Sequence, residues 1–233
     1  YYIDDDTITK ENLKEYLDKS KFSVASNGVL YRTDTVGCIP GILDLWFSKR
    51  VEYKNEMKKY GKAGDKEKYA FFHKRQLVQK ILLNSLYGVL GLPAFRFYDV
   101  DNATAVTTTG QTVIKSTADM ANIKYNKELG NPDLDSNIYI DTDSVFFSAV
   151  PLMDKRFPNW KDEEQVVIAG YVDDIAGEMQ DYLNDFYDIM SEKSFNVDKD
   201  KHRLEIKKEY VAKAWLWIEK KRYAQWIISD NGV

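Results

Sequence analysis

Two aspartates two positions apart, Asp141-Thr142-Asp143, lie between the apolar runs Ile138–Ile140 and Val145–Phe147. β-Branched and aromatic residues of this kind favour strands, so Tyr139 to Ser144 reads as a hairpin tip that presents two carboxylates. If both lie in extended backbone they share one face of the sheet, where like charges repel unless a cation sits between them. Magnesium suits such a place, because it takes oxygen ligands and keeps positions open for water and phosphate. The plainer alternative is that Asp141 hydrogen-bonds the turn backbone, a common task for aspartate.

A second set of chemically capable residues is carried by Lys80-Ile81-Leu82-Leu83-Asn84-Ser85-Leu86-Tyr87-Gly88. From Tyr69 to Gly91 the apolar residues Phe71, Phe72, Leu77, Val78, Ile81, Leu82, Leu86, Val89 and Leu90 recur every three or four positions, which is helical periodicity. His73, Lys80, Asn84 and Tyr87 then fall on one polar stripe. A solvated face of an ordinary core helix would look the same. A third set, Lys220-Lys221-Arg222-Tyr223, lies within a stretch that alternates apolar residues with charge from Leu204 to Ile228. Clustered cations beside an aromatic ring suit phosphates and a sugar, although ordinary edge strands carry such residues too.

The elements that must position these groups are set by length and composition. The chain has 233 residues, 44% apolar and 14% aromatic, enough for one sizeable core and a protruding subdomain. No apolar run is long enough for a membrane span, and Tyr1-Tyr2-Ile3-Asp4-Asp5-Asp6 does not resemble a signal peptide. The lone Cys38 excludes an internal disulfide and fits a reducing cytoplasm. With only His73 and His202, a zinc centre or a Cys/His nucleophile is hard to assemble. The net charge is −4, yet residues 41–91 hold eleven Lys/Arg against five Asp/Glu, and 199–223 hold nine against four. Residues 117–198 hold six against eighteen. Local patches rather than net charge decide where a phosphate backbone can lie, and lysine-rich solvated helices are the alternative meaning.

The motifs KxxxNSLYG, YxDTDS and Lys220-Lys221-Arg222-Tyr223, in that order, resemble the palm and fingers of family B DNA polymerases. Phe95-Arg96-Phe97-Tyr98-Asp99, Asn102-Ala103-Thr104-Ala105 and Gly110-Gln111 are more similar to the replicative enzymes of tailed phages than to cellular members. The resemblance implies an α+β fold, with a palm of antiparallel sheet backed by helices and an antiparallel two-helix fingers subdomain. It divides the chain into a palm-associated segment 1–38, a fingers helix pair 39–92, and a palm with the catalytic hairpin at 93–233. Asp143 and Asp141 are then the catalytic and metal-binding carboxylates, Asp143 as the shared ligand and Asp141 as a supporting charge.

The same resemblance assigns Arg50, Lys54 and Lys80 to the nucleotide triphosphate. If the two helices are antiparallel and joined near 61–68, Arg50 lies eleven residues before the turn and Lys80 twelve after it. At 1.5 Å per residue each is roughly 16–18 Å from the tip, so the three cations can converge on one triphosphate. Asn84 and Tyr87 match residues lining the nucleotide and base-pair pocket, and Lys220, Lys221, Arg222 and Tyr223 match a DNA-binding cluster. The implied reaction is attack of a primer 3′-hydroxyl on a dNTP, with two Mg²⁺ ions about 3.5–4 Å apart in the complete enzyme. The implied partners are primer-template DNA, dNTP, the N-terminal and thumb parts of a polymerase and a sliding clamp, with no membrane, in the cytoplasm of a phage-infected host.

The family's DxxSLYPS strand, which carries the other metal ligand, does not occur in this chain, and Leu204-Glu205-Ile206-Lys207-Lys208-Glu209-Tyr210 stands where LELEKVY is often found. A non-catalytic DNA- or nucleotide-binding piece of a split or truncated polymerase is therefore the alternative. The remaining elements are read as a short helix around Lys10–Lys19, strands at Phe22–Ala25 and Val29–Arg32, and a helix Gly41–Tyr60 with Leu43, Phe47, Val51 and Met57 near one face. An extended stretch follows at 92–101, then helices over Asn102–Leu129 and 163–190, the latter with a solvated acidic face, and a closing turn at Ser229–Val233.

Overall fold

A short helix and hairpin open the part of the chain that the computed structural model describes, Thr9 and residues 12–230. Helix α1 (Leu13–Ser20) is followed by the antiparallel pair β1 (Phe22–Val24) and β2 (Leu30–Arg32). Lys10, where the first helix was expected to start, and 231–233 of the expected closing turn lie outside the described residues. Ser229 and Asp230 are strand rather than turn, since they pair with Val211 and Tyr210.

Two long helices come next, α2 (Cys38–Lys62) and α3 (Lys66–Leu90). They run antiparallel: Tyr60 stacks on Phe72 with centroids 5.5 Å apart, and further back along α2 Tyr53 meets Phe72 and the Arg75 guanidinium. The expected break at Gly61 comes slightly later. The chain turns at Ala63–Asp65, where Gly64 takes a positive φ of 73° and the Asp65 carboxylate accepts the Lys68 N–H to cap α3. The expected apolar face of α3 is corrected. The partly shielded seam is Phe72, Gln76, Gln79, Leu83 and Leu86, whereas Phe71, Leu77, Val78, Ile81 and Leu82 are exposed, Ile81 by 56%. On α2 the seam holds Leu43, Trp46, Arg50, Tyr53, Met57 and Tyr60, and Phe47 and Val51 are exposed. A single neighbour covers only a narrow strip of a helix, so a broad apolar stripe is left outside it.

Residues 92–101, expected to be extended, are instead successive turns up to 99, with N–H groups of Phe95 and Tyr98 donating to carbonyls three residues back, and then the start of a helix. That helix is α4 (Val100–Leu129), whose first part packs with the β1–β2 hairpin: the Tyr31 hydroxyl donates to Asn102 and the Asn27 amide to the Asp101 carbonyl. The contacts divide the chain into two compact units, one up to Thr109 and one from Gly110.

The second unit contains β3 (Asn137–Asp141), β4 (Ser144–Phe147), α5 (Val150–Arg156), a single 3₁₀ turn, α6 (Gln165–Ser194), β5 (Tyr210–Glu219) and β6 (Arg222–Asp230). β3–β4 and β5–β6 are separate antiparallel hairpins. Its core joins Ala121 and Tyr125 of α4 to Leu152 and Met153 of α5 and to Ile175, Met179 and Leu183 of α6. Phe157 stacks on Tyr171 at 4.0 Å, and Thr117 and Tyr187 share a buried hydroxyl contact of 2.8 Å. The acidic face of α6 is not wholly solvated, because Asp173 pairs with Lys208 and Glu178 with Arg156. Arg156 also grips Glu128 through two nitrogens at 2.7 and 2.8 Å. The fold is α+β, and among the described residues no helix is long and apolar enough to cross a membrane.

Candidate active site

The 137–147 hairpin is held from below. Entering β3, Ser136 N–H donates to the Asn122 side chain, which donates in turn to Asp135, and the Asn137 amide donates to the Ala118 carbonyl. On β4, Phe147 meets the buried Tyr125 ring edge-on at 5.5 Å. The hairpin tip therefore stands on α4 through polar ties and one aromatic contact, and burial pushes the Tyr125 hydroxyl well above its ordinary pKa.

At the tip, Asp141 pairs with Ser144, which leaves Thr142 and Asp143 as a two-residue turn. Thr142 takes a φ of 54°, so Asp143 is not in extended backbone and the alternation that would place both aspartates on one sheet face does not apply. The turn bonds expected of the Asp141 side chain go to its main chain, and the cation beside its carboxylate is a lysine. The Asp141 carbonyl accepts from the Ser144 hydroxyl and the Asp143 N–H, while its carboxylate, side chain only 20% exposed, meets the Thr142 hydroxyl at 3.1 Å and the Lys221 ammonium at 3.2 Å. Asp143 is exposed and makes no ion pair among the described residues.

Lys221 arrives from the other hairpin. Glu219 pairs with Arg222, which makes Lys220-Lys221 a two-residue turn with Lys221 at φ 65°. The expected order of basic and aromatic residues is thus bent: Lys220 and Lys221 form the apex, Arg222 pairs with Glu219 at 2.8 Å, and Tyr223 starts the return strand. Trp215 and Trp217 project from alternate positions of β5 with Tyr223 opposite Trp217, and they enclose Tyr139 and Phe146 of the first hairpin. Tyr139 lies 4.6 Å from the Trp217 centroid and its hydroxyl accepts the Lys221 N–H at 3.3 Å. Sequence reasoning did not find this pairing. The signal that could have found it is the aromatic content of both strand pairs, Tyr139 and Phe146 in one and Trp215, Trp217 and Tyr223 in the other.

The residues expected to bind nucleotide lie on α2 and α3, in the other unit. Lys54, Lys80, Asn84 and Tyr87 are exposed, whereas Arg50 sits in the interhelical seam with its Nε buried and without a hydrogen-bond partner. Gln79 Oε1 in the same seam is likewise unpartnered. Arg50 presents its guanidinium less openly than the two lysines.

Residues 3–156 match the family model for DNA polymerase family B. This chain belongs to that family. It is 30% identical over 164 residues to DNA polymerase 2 of Aeropyrum pernix, an alignment covering 70% of this chain and 19% of the relative. Over 80 residues, 34% of this chain and 9% of each relative, it is 42% and 46% identical to the DNA-directed DNA polymerases of Escherichia phage RB69 and Enterobacteria phage T4. The alignments therefore span less than a fifth of each of these relatives. The family B match includes α3 and the Asp-Thr-Asp turn and ends before the β5–β6 hairpin.

The family acts with divalent cations, and the donors at this turn suit a hard cation in kind: two carboxylates, which a small, strongly hydrated ion takes alongside water and phosphate oxygens. Asp141 and Asp143 are two such donors, and among the described residues no group of three His, Cys, Asp or Glu side chains is arranged to hold a metal ion.

Proposed function

We propose that this chain supplies most of a palm and the fingers of a template-directed DNA polymerase, which transfers a nucleotide from dNTP to a primer 3′-hydroxyl. The observation that supports this most is the meeting of two hairpin tips far apart in sequence, where the Asp141 carboxylate lies 3.2 Å from the Lys221 ammonium. A reaction between a polyanion and a nucleoside triphosphate needs both signs of charge at one place: anions to hold cations, and cations to hold phosphates.

Asp143, exposed on its turn, and Asp141 would hold Mg²⁺, which when bound activates the attacking hydroxyl and offsets charge on the leaving oxygens. The other tasks fall to the chain's own cations and rings. Lys220, Lys221 and Arg222 face primer phosphates, with Tyr223 fixed against Trp217 behind them. On the helical hairpin Lys54 and Lys80 bind the triphosphate as point charges, Arg50 adds a forked donor after turning out of the seam, and Asn84 and Tyr87 on the same exposed stripe line the base-pair pocket. Neutralising the growing charge of the pyrophosphate is preorganised electrostatic work.

The test is primer extension with Mg²⁺ and dNTPs, using this chain alone and mixed with a separately made piece carrying the DxxSLYPS strand. Synthesis in the mixture is expected; absence of synthesis in both, with the chain folded, would overturn the catalytic reading. A second reading, a DNA- or nucleotide-binding piece that joins nothing, is favoured by the turn's two-carboxylate donor set, and it predicts duplex binding without extension in either case.

A further inference from the structure

The contact between Lys221 and Asp141 links the two charge functions of the tip. Lys221 occupies the apex of a two-residue turn at φ 65°, a left-handed conformation that costs a non-glycine residue roughly 1 kcal/mol. That backbone is held by its N–H bond to Tyr139, a residue wedged among Trp217, Tyr223 and Phe146. The main chain of Lys221 is therefore anchored while its side chain is 61% exposed and free to choose partners. Asp141 is the opposite case: its side chain is only 20% exposed, and its charge is met by the Lys221 ammonium and the Thr142 hydroxyl. A lysine is a compact cation that pairs with a carboxylate or a phosphate alike, and a half-buried carboxylate needs a cation of some kind.

We propose that Lys221 is an exchangeable counter-cation: it occupies Asp141 in the DNA-free protein, and a nucleic-acid phosphate draws it off and frees the carboxylate for a divalent cation. Lys221 is thereby a positioning residue that couples duplex binding to cation binding. The inference rests on the proposed function, which places DNA and divalent cations at this tip. Coupling of this kind is reciprocal, so each ligand tightens the other by the same factor.

The experiment titrates Mn²⁺ into the full chain by electron paramagnetic resonance, with and without a primed duplex, after subtracting Mn²⁺ held by duplex alone. Duplex binding is followed in parallel by fluorescence anisotropy. In the wild-type chain the duplex is expected to tighten Mn²⁺ about three- to fivefold, the range open to a partly exposed ion pair. Lys221→Met should bind Mn²⁺ without DNA about as tightly as the wild type does with DNA and should show no coupling, while Lys221→Arg should retain it and guard against a folding defect. Asp141→Asn should also lose the coupling. The proposal is overturned if wild-type coupling is near one, if coupling persists in Lys221→Met, or if neither protein takes Mn²⁺. A chain that fails to bind the duplex overturns the functional reading and the coupling together; duplex binding without coupling overturns the coupling alone.

Discussion

The long helices of the helical hairpin, α2 and α3, and those of the second unit's core, α4 and α6, are stabilised in opposite ways. α2 buries no residue and α3 buries only Leu90, whereas α6 buries seven, from Ala169 to Ser191. The arm carries exposed cations, an arginine with an unpartnered buried nitrogen, and an exposed apolar stripe. The second unit carries a buried core against which Phe147 of the first hairpin packs. An element with little buried area opens and shifts at low cost, while a site built on a packed core keeps its geometry. The difference teaches that charge delivered by a helix face and charge held on a hairpin tip are separate devices within one chain.

Five variants would break or sharpen that contrast. The largest effect is expected for Asp143→Ala in a complete enzyme carrying this segment. Metal-dependent synthesis should fall about 10³-fold or more, and retained synthesis in primer extension would mean that the tip is not the cation platform. Next, Met179→Ala should cost about 3 kcal/mol in urea unfolding, whereas Val78→Ala on the arm should stay within about 0.5 kcal/mol; similar costs at the two sites would erase the contrast. Lys80→Ala should raise the KM for dNTP or lower kcat by roughly tenfold, as expected of one charged contact to phosphate, with unfolding unchanged. Steady-state kinetics that match the wild type would remove Lys80 from the triphosphate site.

The smallest effect concerns acid stability of the second unit. Arg156 holds the Glu128 and Glu178 carboxyls below their usual value of 4.5 through hydrogen bonds first and charge second. The unfolded chain then binds more protons than the native one at low pH, so the stabilisation is present in full above about pH 4.5 and is lost as pH falls through the lowered native values. Partial exposure keeps the contribution to roughly 1 kcal/mol. Arg156→Ala should lower stability near neutral pH by about that amount and flatten the acid limb of the unfolding curve. An unchanged limb would show that the three side chains are not coupled in solution.

Much of this was legible in the chain because it depends on near neighbours. Three-residue and four-residue spacing marked α3 and α6, and the flanking β-branched and aromatic residues marked the strands around Asp141. Where the reading departed from the structure, distant partners or turn chemistry decided. Phe71, Val78 and Ile81 look like core by periodicity, but among the described residues α2 shields α3 along a strip that selects Gln76 and Gln79 instead. Residues 92–99 lack apolar alternation partners and close on themselves in turns. Thr142 and Lys221 adopt left-handed backbone without glycine, a choice that side-chain identity alone does not announce.

By itself, then, the sequence determined the family, the long helices, the strand segments and the residues able to do chemistry, because local spacing and side-chain type are written into consecutive positions. Tertiary structure alone decided that Asp141 meets Lys221 eighty residues away, that Trp217 and Tyr223 enclose Tyr139, and that Arg50 turns into a seam while Lys80 turns out. Those outcomes depend on which surfaces exclude water from one another, a property of pairs of distant segments.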